Sequence, residues 1–237
     1  MLDMAFEEEG FCIVRGPDLL WGGDIKKFHP PPGVFDGVIG GPPCQAHSRL
    51  RHIVKHNGYK IAEDLIPEFE RCVAEARPAW FLMEMVPDGP VATVEGYRTD
   101  AKCVRDVWVG GSTKRLRRFS FGNRTGARLE IETLALHGEG EHSALATGGR
   151  RAVPIAIGGN GKPKRSSKSA LCNYGYNSKA ALADHCRRQG LSPDFLDKAP
   201  FTLEGKSKAV GNGVPLPMGR AVAKAVKRAI GEAEQLA

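Results

Sequence analysis

The chain has 237 residues, of which 41% are hydrophobic and 26% charged, as is ordinary for a globular protein. No apolar run approaches the roughly 20 residues that span a bilayer, and the acidic amino-terminal segment lacks the basic and apolar leader of a secreted protein. The sequence thus argues against a membrane-spanning or secreted protein. It predicts a cytoplasmic protein with one α/β domain and an insert, or with a large and a small lobe.

The formal net charge is +7, which favours a polyanionic partner because Lys and Arg release counterions when they bind phosphates. Local clusters of positive charge occur at residues 114–118 and 162–168. The six cysteines occur singly, at positions 12, 44, 72, 103, 172 and 186, and none forms a Cys-x-x-Cys pair. We therefore expect reduced thiols and no metal site, so that any one cysteine could be chemically active.

Two short apolar runs, at residues 33–41 and 79–83, are bounded by glycine or proline and predict buried parallel strands. Between them, residues 61–76 have the spacing of an amphipathic helix. The order strand, helix, strand predicts a right-handed βαβ unit. Because ligands bind at the carboxyl ends of such strands, Cys44 and Glu84 are expected to face one crevice.

Weaker signals lie on either side of this unit. Residues 11–14 are a short apolar run that could form a strand, and residues 119–121 predict another. Residues 123–177 are rich in Gly, Ser, Lys and Arg, which predicts a smaller lobe with irregular β structure. Residues 180–189 look helical, and residues 219–236 predict an amphipathic helix that packs back on the sheet.

Residues 40–45 read Gly-Gly-Pro-Pro-Cys-Gln, which places Cys44 in a rigid loop directly after a predicted strand. In electropositive surroundings a cysteine has a useful thiolate fraction near neutral pH and is a good nucleophile. A lone cysteine is more often a buried structural residue. The tetrapeptide Pro-Pro-Cys-Gln after a strand reverses that balance and favours a nucleophile.

The sequence Gly-Gly-Pro-Pro-Cys-Gln resembles the catalytic loop of the DNA cytosine-5 methyltransferases. The likeness extends along the chain, because four further segments resemble the family's motifs and occur in its order. They are residues 81–87 (the Glu-Asn-Val strand end, with Met85 for Asn), 110–117 (Gln-x-Arg-x-Arg, with Thr113 for Gln), 189–195 (Gln-Gly-Phe-Pro-x-x-Phe) and 211–217 (Gly-Asn-x-Val-Pro).

The resemblance implies an α/β fold, with the Rossmann-like sheet of S-adenosylmethionine-dependent methyltransferases and a small irregular target-recognition lobe. Residues 1–122 would form the catalytic domain, 123–177 the target-recognition region, and 178–237 a segment that returns to the catalytic domain. The first residues resemble the helix that follows the family's glycine loop. The sequence thus looks like an N-terminally truncated member, without the first strand.

The chemistry of cytosine methylation suits the residues that the resemblance selects. A Cys44 thiolate adding to position 6 of cytosine makes position 5 enamine-like and able to attack a methyl sulfonium. Glu84 is the candidate acid at ring nitrogen 3, where it would offset the developing negative charge. Arg115 and Arg117 would hold the flipped nucleotide and favour the thiolate. The plain alternatives are a capping or surface salt-bridge role for Glu84 and a solvated basic strand for the two arginines.

The implied methyl donor is S-adenosylmethionine, and the implied partner is double-stranded DNA, bound by a monomer. Residues 23–25 match the family's Gly-Asp-Ile, in which the Asp meets the adenine amino group. The donor-binding residues implied by the resemblance are Asp24, Pro42, Asn212 and Val214. The implied DNA-binding residues are Gln45, Ser48, Arg49 and Arg51.

The predicted function is that of a DNA cytosine-5 methyltransferase, which transfers the methyl group to a flipped cytosine through a Cys44 adduct. A restriction-modification setting is compatible with it. Two alternatives remain open. One is a catalytically impaired relative that binds DNA or acts as a decoy. The other is a cysteine-dependent pyrimidine modification enzyme with a different one-carbon donor.

Overall fold

The computed structural model of the chain describes residues 1–18, 23–47, 63–134, 140 and 179–235. Four strands in this part of the chain form one mixed sheet with the order β1-β2-β4-β3. β1 and β2 are parallel, and β4 runs antiparallel to both β2 and β3. The predicted α/β fold class is therefore confirmed. The strands are β1 (Gly37–Gly40), β2 (Trp80–Met85), β3 (Arg98–Arg105) and β4 (Leu116–Asn123).

Five α-helices and three short 3-10 turns accompany the sheet in the described residues. None of these helices is both long and apolar enough to cross a membrane. The helices are α1 (Leu2–Glu8), α2 (Ile66–Ala76), α3 (Lys179–Arg188), α4 (Leu203–Asn212) and α5 (Leu216–Gln235). The turns are Ile25–Lys27, Cys44–Ala46 and Asp106–Val109.

The predicted strand-helix-strand unit is present as β1, α2 and β2, with Val38 opposite Phe81 in the parallel pair. α2 begins at Ile66, five residues later than its pattern predicts. A proline in the first turn suits this start, because that turn needs no backbone donor there. The helix ends at Arg77, which adopts a left-handed conformation with φ of 51° directly before Pro78.

The core lies on both faces of β2, because successive side chains of a strand point to opposite sides. Trp80 and Leu82 pack with β4 side chains against α1 and α5. Phe81 and Met83 pack against α2 on the other face. Burial on both faces explains why β2 reads as a continuous apolar run.

The prediction of a strand at residues 11–14 is wrong. Phe11 stacks against the rings of Phe6 and Trp80, whereas Val14 is 69% exposed. No strand in the described part of the chain lies beside this run to share backbone hydrogen bonds with it. The apolar side chains instead cover the edge of the core.

Two elements have no counterpart in the sequence predictions. β3 is an edge strand in which half of the side chains are charged and one is buried, so it lacks an apolar signal. α4 has little amphipathic character. β4 extends beyond the predicted residues 119–121 and thereby includes Arg117. Most of the predicted target-recognition region, 123–177, lies outside the described residues; Asn123 ends β4, and the other described residues, 124–134 and 140, contain no helix or strand.

Candidate active site

The carboxyl ends of β1 and β2 lie side by side because the strands are adjacent and parallel. The loop after β1 leads into the 3-10 turn Cys44–Ala46, and Cys44 is half-buried against the core beneath α2. A Cβ atom on Gly41 would lie 3.2 Å from Glu84 Oε2, so the loop passes directly beside that carboxylate. The two residues expected to share a crevice thus meet at the same end of the sheet.

Glu84 forms a buried ion pair with Arg117, whose Nε lies 2.7 Å from Glu84 Oε1. Their side chains are only 13% and 17% exposed, so this is not a surface salt bridge. The pair is a diagonal one, because Glu84 lies opposite Phe119 in the antiparallel register. Burial raises the pKa of Glu84, and the charges of Arg117 and Arg115 oppose that rise. The site therefore holds a carboxyl group with an increased tendency to keep its proton.

Arg115 lies just before β4 and is 6% exposed. It interacts electrostatically with Glu84 and Cys44, and its Nη2 donates a hydrogen bond to the carbonyl of Asn212 at 3.3 Å. Burial and the charge of Arg117 lower the pKa of Arg115 to about 10, so the guanidinium remains charged at neutral pH. A fixed positive charge thus acts on the Cys44 thiol.

Asp106 belongs to this cluster, although the sequence gave no reason to select it. Its carboxylate is fully buried, and Oδ2 accepts hydrogen bonds from Thr113 N at 2.9 Å and Thr113 Oγ1 at 2.7 Å. Its backbone N–H donates to the carbonyl of Arg115 at 2.9 Å. Burial raises the pKa of Asp106, and the hydrogen bonds from Thr113 and the charge of Arg115 oppose that rise. Thr113, which stands where the resembled motif has Gln, is itself fully buried and holds this loop together.

His47 closes the 3-10 turn that begins at Cys44. Its backbone N–H donates to the Cys44 carbonyl at 3.0 Å. Its Nε2 lies 3.0 Å from Asp64 Oδ2, next to the start of α2. The turn is thereby tied to the helix that covers this face of the sheet.

The predicted donor-binding residues are only partly brought together. Asp24 caps the turn Ile25–Lys27, with Oδ1 accepting from Lys26 N at 3.0 Å. The contacts described for Asp24 do not reach Cys44 or Glu84. Asn212 is joined to the cluster through its carbonyl, as described above for Arg115.

The two polar members of this set fit an adenosyl group better than the buried Val214 does. Asp24 keeps Oδ2 as a further acceptor on a half-buried side chain, and the exposed Asn212 ends α4. Pro42 is half-buried at the start of the catalytic loop. Val214 is 4% exposed and packs in the main core, so it would support such a pocket from behind.

The predicted DNA-binding residues Ser48, Arg49 and Arg51 lie outside the described residues, and Gln45 lies in the 3-10 turn after Cys44. In the described ranges, no group of His, Cys, Asp and Glu side chains is arranged to hold a metal ion.

Comparison with known proteins agrees with the motifs. Residues 22–88 match the family model described as C-5 cytosine-specific DNA methylase, and this segment includes Asp24, Cys44 and Glu84. No curated protein matches the chain. Among solved structures, a mutant of DNMT2 from Spodoptera frugiperda superposes with a TM-score of 0.55 at 14% identity, covering 95% of this chain and 96% of that one.

Two further solved structures are similar at lower scores. The methyltransferase EhMeth of Entamoeba histolytica has a TM-score of 0.48 at 13% identity, with 82% of this chain and 78% of that chain covered. Dnmt2 of S. pombe has a TM-score of 0.45 at 10% identity, with 81% and 78% covered. The resemblance to the DNA cytosine-5 methyltransferases is therefore confirmed, by the family model for the segment that carries Cys44 and Glu84 and by the S. frugiperda structure for the fold.

Proposed function

We propose that the protein is a DNA cytosine-5 methyltransferase in which Cys44 is the nucleophile and Glu84 the acid. The observation that carries the proposal is the meeting of four side chains at the carboxyl ends of β1 and β2. Cys44 and Glu84 lie on adjacent loop and strand ends, and Arg117 and Arg115 act on them from the start of β4. A thiol, a carboxyl group of raised pKa and two fixed positive charges are the groups that addition to a cytosine ring requires.

The reaction begins when Cys44 Sγ forms a bond to C6 of the cytosine. The electrons of the C5–C6 double bond move into the ring, and N3 takes a proton from Glu84. C5 then acts as an enamine carbon and forms the bond to the methyl group. Loss of the C5 proton to water restores the double bond, Sγ leaves as a thiolate, and the N3 proton returns to Glu84. S-adenosylmethionine, when bound, would supply the methyl group from its sulfonium sulfur, and with that sulfur–methyl bond broken it would leave as a neutral thioether; Asp24, Pro42, Asn212 and Val214 would hold it.

The electrostatics of the site supports these roles. Arg115 interacts electrostatically with Cys44, which places a positive charge near the proposed nucleophile. The raised pKa of Glu84 allows it to carry the proton that N3 receives. Because Glu84 is buried and Cys44 half-buried at the end of the sheet, the target base would have to leave the duplex before it can react.

The experiment that tests the proposal measures methyl transfer from labelled S-adenosylmethionine to unmethylated duplex DNA, with RNA of the same sequence as a second substrate. We expect transfer to DNA that is lost in Cys44→Ala and kept in Cys103→Ala, a matched change at an exposed cysteine. Transfer to RNA alone would contradict the DNA assignment. Transfer that survives in Cys44→Ala would contradict the nucleophile.

One observation favours a second candidate, a DNA-binding relative that does not transfer methyl groups. Two residues of the implied donor pocket have structural roles in the fold, because Asp24 caps a turn and Val214 is buried in the core. This candidate predicts duplex binding that weakens steeply with salt, with no transfer by folded protein.

A further inference from the structure

The active-site end of the sheet concentrates buried charge. Arg115 and Arg117 bring two permanent positive charges, and both are largely withdrawn from water. Glu84 faces them from β2, and Asp106 interacts with Arg115 from the loop before β4. A net charge on side chains withdrawn from water is energetically unfavourable. The cluster is therefore expected to hold the number of protons that makes it neutral.

Asp106 takes no part in the reaction proposed for Cys44 and Glu84, and the hydrogen bonds from Thr113 and the charge of Arg115 favour its ionised form against the effect of burial. Oδ2 accepts both hydrogens that Thr113 offers, from its backbone N–H and its hydroxyl. A Cβ atom on Gly111 would lie 2.0 Å from Asp106 Oδ1, so the loop is closed tightly around the carboxylate. In its ionised form Asp106 contributes a negative charge to the cluster, without being a catalytic residue.

The charges of this cluster can be counted. Asp106 balances one of the two guanidinium groups, and one positive charge remains. A single further negative charge neutralises it, and that charge can be on Glu84 or on Cys44. The two neutral states are a thiol with a carboxylate and a thiolate with a carboxylic acid. They differ only by the movement of one proton from Cys44 Sγ to Glu84.

We propose that Asp106 sets the proton count of the active site, so that Cys44 and Glu84 together hold one proton. The inference rests on the proposed function for the roles of those two residues. The resting state is the thiol with the Glu84–Arg117 ion pair. The reactive state, a thiolate beside a protonated acid, is reached without any change in the net charge of the cluster.

The other charged groups near Cys44 in the described residues do not alter this count. On the 3-10 turn that carries Cys44, the His47 side chain lies against Asp64. From β2 the facing group is Glu84, and from β4 and the loop before it they are Arg117, Arg115 and Asp106.

The test follows the rate of Cys44 alkylation against pH in the full chain, resolved by peptide mass spectrometry because other cysteines also react. Asp106→Asn keeps the acceptor for Thr113 and removes the charge, so the cluster then favours loss of the shared proton. At pH values below the midpoint of the rate–pH profile, we expect Cys44 to be alkylated about 2–10 times faster in Asp106→Asn than in the wild type, because loss of a nearby negative charge favours the thiolate. Glu204→Gln, which removes an exposed negative charge on α4, is expected to leave the rate unchanged, and Arg115→Gln to reduce it.

A slower rate in Asp106→Asn would mean that Asp106 only positions Arg115. An unchanged rate would mean that Asp106 acts only as a hydrogen-bond acceptor. Either outcome overturns the proposal. If that variant fails to fold, Glu84→Gln gives the second test. With Asp106 in place and Glu84 uncharged, only a Cys44 thiolate neutralises the cluster. Alkylation is therefore expected to be faster than in the wild type, and an unchanged rate would contradict the proposal. Neither readout needs the methyl donor or DNA. If the wild-type protein transfers no methyl group, the proposed function is contradicted, but the alkylation rates still test the proton count.

Discussion

At the scale of single residues, the surroundings of Glu84 determine how tightly it binds a proton. It is buried beside Arg117 and Arg115, and its pKa is raised because burial outweighs the attraction of the two cations. A raised pKa means that the folded protein binds this proton more tightly than the unfolded chain does. Glu84 therefore favours the folded state fully only below its unfolded pKa, and this contribution is lost as pH rises through the folded value.

We expect the free energy of unfolding of the wild type, relative to that of Glu84→Gln, to decrease as pH rises above about 4.5, the ordinary value for Glu. The measurement is urea unfolding of both proteins across a pH series. Glu204→Gln is the matched control, because the pKa of this exposed residue is lowered by Lys208 and any small effect has the opposite sign. A constant difference between wild type and Glu84→Gln across the series would contradict the raised pKa.

At the scale of elements, the end of α2 determines how the chain enters β2. Arg77 ends the helix with φ of 51°, a conformation that disfavours side chains with a Cβ atom. The turn is followed at once by Pro78, whose carbonyl accepts a hydrogen bond from the Tyr97 hydroxyl at 2.6 Å. The conformation is thus fixed by its surroundings rather than by its residue type.

We expect Arg77→Gly to increase the free energy of unfolding by about 0.5–1 kcal/mol, since glycine adopts this conformation readily and loses part of the gain to its more flexible unfolded chain. Arg77→Ala is the control, which removes the same side chain without relieving the backbone. Chemical denaturation of both variants measures the effect. Equal stabilities for the glycine and alanine variants would show that the left-handed turn carries no strain.

The elements also show how far sequence alone could go. β2 was predictable because a strand buried on both faces gives an unbroken apolar run, whereas the half-buried β1 has a short apolar run between glycines and the helix between them has amphipathic spacing. β3 was not, since an edge strand with charged side chains has no such signal. Residues 11–14 have an apolar run but serve as a cover for the core, which only the packing of Phe11 reveals.

The candidate site follows the same rule. Cys44, Glu84, Arg115 and Arg117 could be selected because they stand in recognisable motifs. Asp106 could not, because it lies outside the motifs and its importance comes from its contact with Thr113 and its proximity to Arg115.

At the scale of the whole molecule, the carboxyl-terminal helices are joined to one another at Gln189. Its side chain is fully buried, and Nε2 donates to the carbonyls of Val210 and Gly213. Its own carbonyl accepts from Leu216 N at 2.8 Å, at the start of α5. One residue thus fixes the junction of α3, α4 and α5, next to the Asn212 carbonyl that binds Arg115.

We expect Gln189→Leu to reduce the free energy of unfolding by about 2–4 kcal/mol, because two buried carbonyls lose their donor. Lys208→Ala, at an exposed position with a surface ion pair, is expected to change it by less than about 1 kcal/mol. Denaturant unfolding compares them. A Gln189→Leu variant as stable as Lys208→Ala would mean that the junction does not depend on these hydrogen bonds.

The central claim, that Cys44 attacks the cytosine ring, is tested most directly by trapping the adduct. In a duplex that carries 5-fluorocytosine, the fluorine at C5 cannot leave as a proton does, so the bond between Sγ and C6 persists after methyl transfer. In the presence of S-adenosylmethionine we predict a covalent protein–DNA complex whose linkage maps to Cys44 by peptide mass spectrometry and is absent in Cys44→Ala. A linkage at another cysteine, or methyl transfer to ordinary duplex with no trapped complex, would contradict the account.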